Sequence, residues 1–216
     1  MPAPRTVGAL YLVALAIVAA GLSWHRGDGA DHGRRCDDPN AASLGGRSVT
    51  ALDLDGKRLR CADLERATVN GPVGAANLSG ANLHRATLHQ AALTDVDLSG
   101  ADLTLAVAQE AEFTGVKLVR ADLGGADLRA STLTDVGLEG ARLRDARLRA
   151  VSFVRTDLGA ADVRGADLSG ATITDSNLRG ARFDHADLSG VTWVNAVCPD
   201  GVKSTDGTCE GHLEPG

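Results

Sequence analysis

From Leu78 to Trp193, taken five residues at a time, every position is apolar. The path visits 24 positions; most are Leu, and the others are Ala108, Phe113, Phe153, Val163, Ile173, Phe183 and Trp193. Two residues before each lies a second register, Ala76, Ala81, Ala86 and onward to Val191, that holds Ala, Val, Ser or Thr throughout. A period of five fits neither the 3.6 residues of a helical turn nor the alternation of a strand. It describes a chain that turns a corner every five residues, and such a repeat outranks local propensity.

The small register shows how many corners close one coil. Every fourth member falls into a column of like residues: Ala81, Ala101, Ala121, Ala141, Ala161 and Ala181 form one. Another collects Ala76, Val96, Val116, Val136, Thr156 and Ser176, where β-branched residues gather. The aromatic residues sort the same way, with Phe113, Phe153 and Trp193 sharing a column with Leu93, Leu133 and Ile173. Four faces and twenty residues per coil follow. Each face is then a short extended segment stacked ~4.8 Å from its equivalent in the next coil. Leu78, Leu98, Phe113, Phe153 and Trp193 are expected to point into the core.

Ala-Asn-Leu-Ser-Gly at 76–80, Ala-Asp-Leu-Gly-Gly at 121–125 and Ala-Asp-Leu-Ser-Gly at 166–170 and 186–190 resemble the pentapeptide-repeat family. The resemblance implies an all-β fold, a right-handed parallel quadrilateral β-helix, here of about seven coils, with no catalytic site and no cofactor. Two departures stand out. Ala108 replaces a core Leu, which predicts a locally underpacked coil, and Arg142 and Arg147 replace the usual Asp or Asn.

Before the repeats, Arg5 and the amino terminus precede sixteen uncharged residues, Val7 to Leu22, rich in Leu, Val and Ala. Residues 1–22 read as a signal peptide, with a small-residue cleavage pattern at Val18-Ala19-Ala20, or as a membrane anchor. Residues 23–50 are read as a polar linker and N-terminal cap, 51–197 as the β-helix, and 198–216 as a disulfide-closed cap and tail. Leu54, Leu59, Leu64 and Val69 keep steps of five, but Val69 to Leu78 is nine. One residue is missing there, and Gly71-Pro72 marks the distorted corner.

Cys36 and Cys61 precede the regular coils, and Cys198 and Cys209 follow them. An even count in an exported chain reads as disulfides. The two ends of the rod lie too far apart to bridge, because a disulfide needs Cα atoms within about 7 Å. Cys36–Cys61 and Cys198–Cys209 are the expected pairs, closing loops over ends that would otherwise expose strand edges. Zinc would need a different spacing. Calcium at 198–209 would need more oxygen ligands, and turn chemistry accounts for its Asp-Gly pairs. No metal is expected.

The inward positions offer no titratable group around which to build an active site. His84, His89 and His185 fall at outward positions. What remains is the surface. The face bearing Thr94, Thr114, Thr132, Thr134, Thr172, Thr174 and Thr192 should be the most sheet-like, because β-branched residues favour extended backbone. It is also a candidate interaction face. On another face Arg142 is placed to pair with both Asp122 and Asp162.

The functional expectation is a non-catalytic, exported solenoid, a rigid binding or structural module at the cell envelope with a protein or envelope-surface partner. One alternative comes from the resemblance: cytoplasmic members shaped and charged like DNA that protect gyrase. Against it, residues 71–197 carry 16 acidic and 12 basic residues, a mild net of −4. The net charge of the whole chain, −6, argues against nucleic acid as a partner. The other alternative is a flat threonine face that binds an ordered surface.

Overall fold

The computed structural model describes residues 41–204, 207–209 and 211–213. The segment at 1–22, most of the linker, and Cys36 lie outside them. The described chain is an all-parallel β-solenoid in which each coil stacks on the next. Its strands are β1 (Ser48–Thr50), β2 (Thr68–Asn70), β3 (Val73–Gly74), β4 (Ala92–Thr94), β5 (Glu112–Thr114), β6 (Thr132–Thr134), β7 (Ser152–Val154), β8 (Thr172–Thr174) and β9 (Thr192–Val194). Strands β3 to β9 form one seven-stranded sheet in sequence order, and β1 pairs separately with β2. The register steps by twenty: Leu93 lies beside Phe113, then Leu133, Phe153, Ile173 and Trp193.

This sheet is the fourth face of the coil, the one richest in Thr. The other three faces make isolated parallel bridges, such as Asp97 with Lys117 and Asp102 with Asp122. The difference has a backbone cause, visible in the hydrogen bonds of one repeat, residues 81–85. Ala81 N–H donates to the Leu78 carbonyl (3.0 Å) and closes the corner. Asn82 donates back to Ala62 (2.9 Å), while Leu83 and Arg85 donate forward to Asp102 (2.7 Å) and Thr104 (3.0 Å). The fifth donor, His84 N–H, turns to its own repeat and bonds Asn82 Oδ1 at 3.1 Å.

The Asp or Asn before the core Leu is therefore an acceptor for the one N–H that the coil stack leaves over, an Asx-turn. Asn77, Asp97, Asp102, Asp122, Asp127, Asp157, Asp167, Asn177 and Asp187 all accept in this way. On the fourth face the same donor joins the strand ladder instead. The position before the core residue there is Ala92, Glu112, Thr132, Ser152, Thr172 or Thr192, never Asp or Asn.

Asp102→Ala should cost about 1 kcal/mol, the usual value of one hydrogen bond. It strands Thr104 N–H and frees the Thr104 hydroxyl, which bonds the same oxygen. Arg147→Asn should add a similar increment by giving Arg149 N–H an acceptor. Urea titrations of both variants check the pair of signs.

All 24 corners from Gly80 to Asn195 have positive φ, and fifteen of them carry a side chain. Left-handed backbone costs roughly 1–2 kcal/mol at each such residue. From Gly80 to Gly180 each corner N–H makes a forward bond, as Arg85 does, which offsets the strain. The corner after Ala108 is the loosest. Its closing bond from Ala111 N–H is 3.4 Å, where the others span 2.9–3.2 Å, in line with the missing Leu.

The interior is a single column of apolar side chains from Val49 to Cys209, including Leu78, Leu98, Phe113, Phe153 and Trp193. Where Ser131, Thr156 and Ser176 interrupt the small register, their hydroxyls bond backbone carbonyls of Leu128, Leu133 and Thr174. No buried hydroxyl among the three is left unpaired, so the polar atoms cost the core little.

Both ends are modified. At the entry, α1 (Ala51–Leu54) takes the place of a strand above β3, and Asp53 closes its first turn by accepting Thr50 N–H (2.9 Å) and the Thr50 hydroxyl (3.0 Å). The missing residue falls between Val69, beside Val49, and Val73, beside Leu93, so the chain changes face in four residues through Gly71. At the exit, Cys198 follows Leu178 in the first core column and is fully buried. The chain then folds back in an antiparallel bridge, Val197 with Lys203, that covers part of the last edge.

Candidate functional site

Among the described residues the inward positions are apolar or hold hydroxyls bonded to backbone, so chemistry must be sought on the outer rows, beginning with the histidines. His84 Nδ1 lies 2.7 Å from Thr104 Oγ1, whose own proton goes to Asp102 Oδ1 at 2.6 Å. The hydroxyl therefore accepts from the imidazole, so His84 is not placed as a base to activate it as a nucleophile. His89 Nδ1 bonds the Gln109 carbonyl at 3.0 Å, and His185 is an exposed corner residue. Among the described residues no group of three or more His, Cys, Asp or Glu is placed to hold a metal ion.

The threonine face is flat but mixed. One of its two outward rows runs Thr94, Thr114, Thr134, Val154, Thr174, Val194, and the other Ala92, Glu112, Thr132, Ser152, Thr172, Thr192. Glu112 and the two valines break the array into patches.

Ion pairs run along the columns. Arg155 grips Asp135 with two bonds of 2.7 Å at the corner after the sheet. Arg142 approaches Asp122 only to 3.6 Å, and it is Arg144 that reaches Asp162, at 2.6 Å. The expectation that Arg142 would serve both neighbours is thus corrected. Arg144 follows the core Leu143 and leans toward the next coil, where it shares Asp162 with Arg164.

Asp127 is the most enclosed carboxylate. It takes the Arg129 guanidinium (2.8 and 2.7 Å), Gln109 Nε2 (2.8 Å) and Arg129 N–H (3.3 Å). Chiefly through Arg129, and against the cost of its burial, its pKa is lowered to about 2. Hydrogen bonds also lower Asp53, Asp135, Asp187 and Asp200. A depressed folded-state pKa stabilises above the ordinary carboxylate value, and the gain is lost as pH falls toward the folded one. Stability should hold from neutrality to about pH 5 and decline from about pH 4 to about pH 2. Asp127→Asn should flatten that decline in urea midpoints measured across the range.

Cys198 and Cys209 are joined, with Cα atoms 5.6 Å apart. Cys61 is also disulfide-bonded, and Cys36, its expected partner, lies outside the described residues. Asp200 accepts Val202 N–H (2.9 Å) and meets His212 Nδ1 at 2.6 Å, tying the tail to the loop.

The charge is unevenly distributed. Coil 141–160 carries Arg142, Arg144, Arg147, Arg149 and Arg155 against Asp145 and Asp157. The preceding coil, 121–140, carries Arg129 against Asp122, Asp127, Asp135 and Glu139. The following one, 161–180, carries Arg164 and Arg179 against Asp162, Asp167 and Asp175. Sequence reading noticed Arg142 and Arg147 one at a time. Summing charge by coil would have found the band.

A family profile agrees with this geometry. The pentapeptide repeats profile matches in eight copies, over residues 74–107, 110–149 and 152–190. No well-characterised protein sequence matches the chain significantly. Among solved structures, HetL, a pentapeptide repeat protein involved in heterocyst differentiation regulation in the cyanobacterium Nostoc, is 26% identical; the match covers 75% of this chain and 94% of HetL, with a TM-score of 0.36. QnrB1, a plasmid-mediated fluoroquinolone resistance protein, is 22% identical over 71% of this chain and 90% of its own, with a TM-score of 0.37. A protein of the Arabidopsis thaliana thylakoid lumen is 26% identical over 52% and 82%, with a TM-score of 0.36. With repeats matched over more than half its length and a coil of twenty residues in four faces, the chain belongs to the pentapeptide-repeat family.

Proposed function

We propose that the protein is an exported, non-catalytic solenoid whose outer rows bind a protein partner at the cell envelope. The observation that carries the binding role is the division of labour across the wall. Inward positions are apolar or hold hydroxyls bonded to backbone, and the charged and polar chemistry stands outside on rows fixed at every coil. Such a surface suits recognition, because its side chains ride on rigid elements and little order must be created on binding.

Export rests on Arg5, the apolar run Val7 to Leu22, and the closed Cys198–Cys209 link, a bond that persists in oxidising compartments. The DNA-like reading fits less well, since a rod imitating a nucleic acid needs acidic charge along its length and coil 141–160 reverses it. Fractionation of cells expressing the full chain, with thiol labelling before lysis, tests the reading. Recovery in the envelope or medium without free thiols is expected, together with a partner protein in cross-linked envelope fractions. Recovery in the cytoplasm with reduced thiols would end it.

A further inference from the structure

Coil 141–160 presents four arginines on two adjacent faces: Arg142 and Arg144 on the face that begins at Ala141, Arg147 and Arg149 on the next, which begins at Ala146. All four are exposed. Their neighbours leave them underused. Asp122 gives Oδ1 to Gly124 N–H, and Arg142 stands 3.6 Å off its other oxygen. Asp127 is taken up by Arg129 and Gln109, and Arg147 likewise stands off at 3.6 Å with 65% of its side chain exposed. Arg149 makes no ion pair with any described residue, and Arg144 alone of the four is held closely, by Asp162.

Beside Arg142 and Arg144 the wall is cut away. Gly124 and Gly125 floor a groove whose far side is Leu105 and whose rim carries Asp122 and Asp145 beside the two arginines. Leu105 is a bulky residue at φ +57 and 46% exposed, at a corner where glycine would be relaxed. A Cβ on Gly125 would strike its Cδ2. Its backbone is that of every other corner, but among the corner residues it alone sets a large apolar side chain on the surface, next to the arginines.

We infer that this arginine coil, with the Leu105–Gly124–Gly125 groove, is the docking site for an acidic segment of a partner protein carrying an apolar side chain. The proposal rests on the binding-module reading above and names its surface. Charge complementarity selects the class: carboxylates meet planar guanidinium groups with free donors, and the groove receives one apolar side chain between its neighbours. A nucleic acid fits worse. The basic row is one coil wide, ~4.8 Å, and both flanking coils are net acidic, so a broad phosphate surface would be repelled on either side.

The test uses the full chain and fluorescence anisotropy with a labelled peptide of alternating Glu and Leu. Parallel probes are an all-Glu peptide, duplex DNA and phosphatidylglycerol vesicles. The alternating peptide should bind, and salt should weaken it. Changing Arg142, Arg144, Arg147 and Arg149 together to Glu should cost at least about tenfold in affinity. A matching set of Arg→Gln changes, with thermal melts alongside, guards against a folding defect. Leu105→Gly, which relaxes its corner, should weaken the alternating peptide roughly threefold and leave the all-Glu peptide unchanged. Failure of the wild type to bind the peptide, unchanged binding by both arginine sets, or tighter capture of DNA or vesicles through the same arginines would overturn the assignment. Capture of an envelope partner by the arginine variants as well as by wild type would also reject this surface, while leaving the binding-module reading intact.

Discussion

Phe153→Ala should destabilise the solenoid by about 3–5 kcal/mol, the range for truncating a buried aromatic side chain. Phe153 is 0% exposed and lies in register between Leu133 and Ile173, so the void would open in mid-stack. The void cannot close by collapse, because each coil is held to its neighbours by backbone bonds on every face. One coil orders twenty residues at ~1–2 kcal/mol each in backbone entropy and buries four large side chains at ~1.5–3 kcal/mol each. The bonds between coils must supply much of the difference, so no coil stands alone and the loss should be felt cooperatively. Urea unfolding followed by circular dichroism measures it. A shift below 1 kcal/mol would mean that Phe153 does not serve this core.

Breaking the Cys198–Cys209 link should have the next largest effect, and a different distribution. Closing a loop of this size, with a sequence separation of 11, stabilises by ~3 kcal/mol in the chain-entropy model. Both cysteines are fully buried, with Cys198 occupying the site that Leu178 holds one coil earlier. Next to them the exit is thinly covered, since Ala186, Leu188 and Val191 are only partly buried and the Leu188–Trp193 end is shared with Gly207, Thr208 and Leu213. Cys198→Ser with Cys209→Ser should therefore speed hydrogen exchange in β8 and β9 first, leaving β5 and β6 protected. Uniform loss of protection along the sheet would show instead that the cap governs the whole stack.

Much of this architecture was legible in the residues, for a simple reason. A coil interior admits apolar side chains at one position in five, and an error at any of them opens a void, so the register is written without ambiguity. The missing residue near Gly71 showed for the same cause. Other features stayed hidden because the same residue type serves two purposes. The Asp and Asn that precede core positions and accept in this way look like solvated surface charge, and their work as acceptors for a leftover N–H appears only once the other four donors are assigned. Arg85, Glu110 and Asp145 give no sign of left-handed backbone, since the stack imposes it against their preference. The exchange of Arg142 for Arg144 as the partner of Asp162 depends on how a side chain leans at a corner, which spacing alone does not encode. The helix α1 was missed because four residues are too few to show a period.

The central claim is that twenty residues make one coil and that the outer rows are columns of that coil. Removing residues 161–180, a whole coil, should leave a shorter protein that unfolds cooperatively with a modest loss of stability, since each coil contacts its two neighbours. Removing 161–165 takes away a quarter as much chain but turns every later face by one side, setting Ile173 beside Leu148 and breaking the sheet after β7. Denaturant titration of the two deletions side by side is decisive. The account predicts that the five-residue deletion is the more damaging by several kcal/mol, the scale of one misplaced core layer; equal stability, or a more stable five-residue deletion, would contradict it.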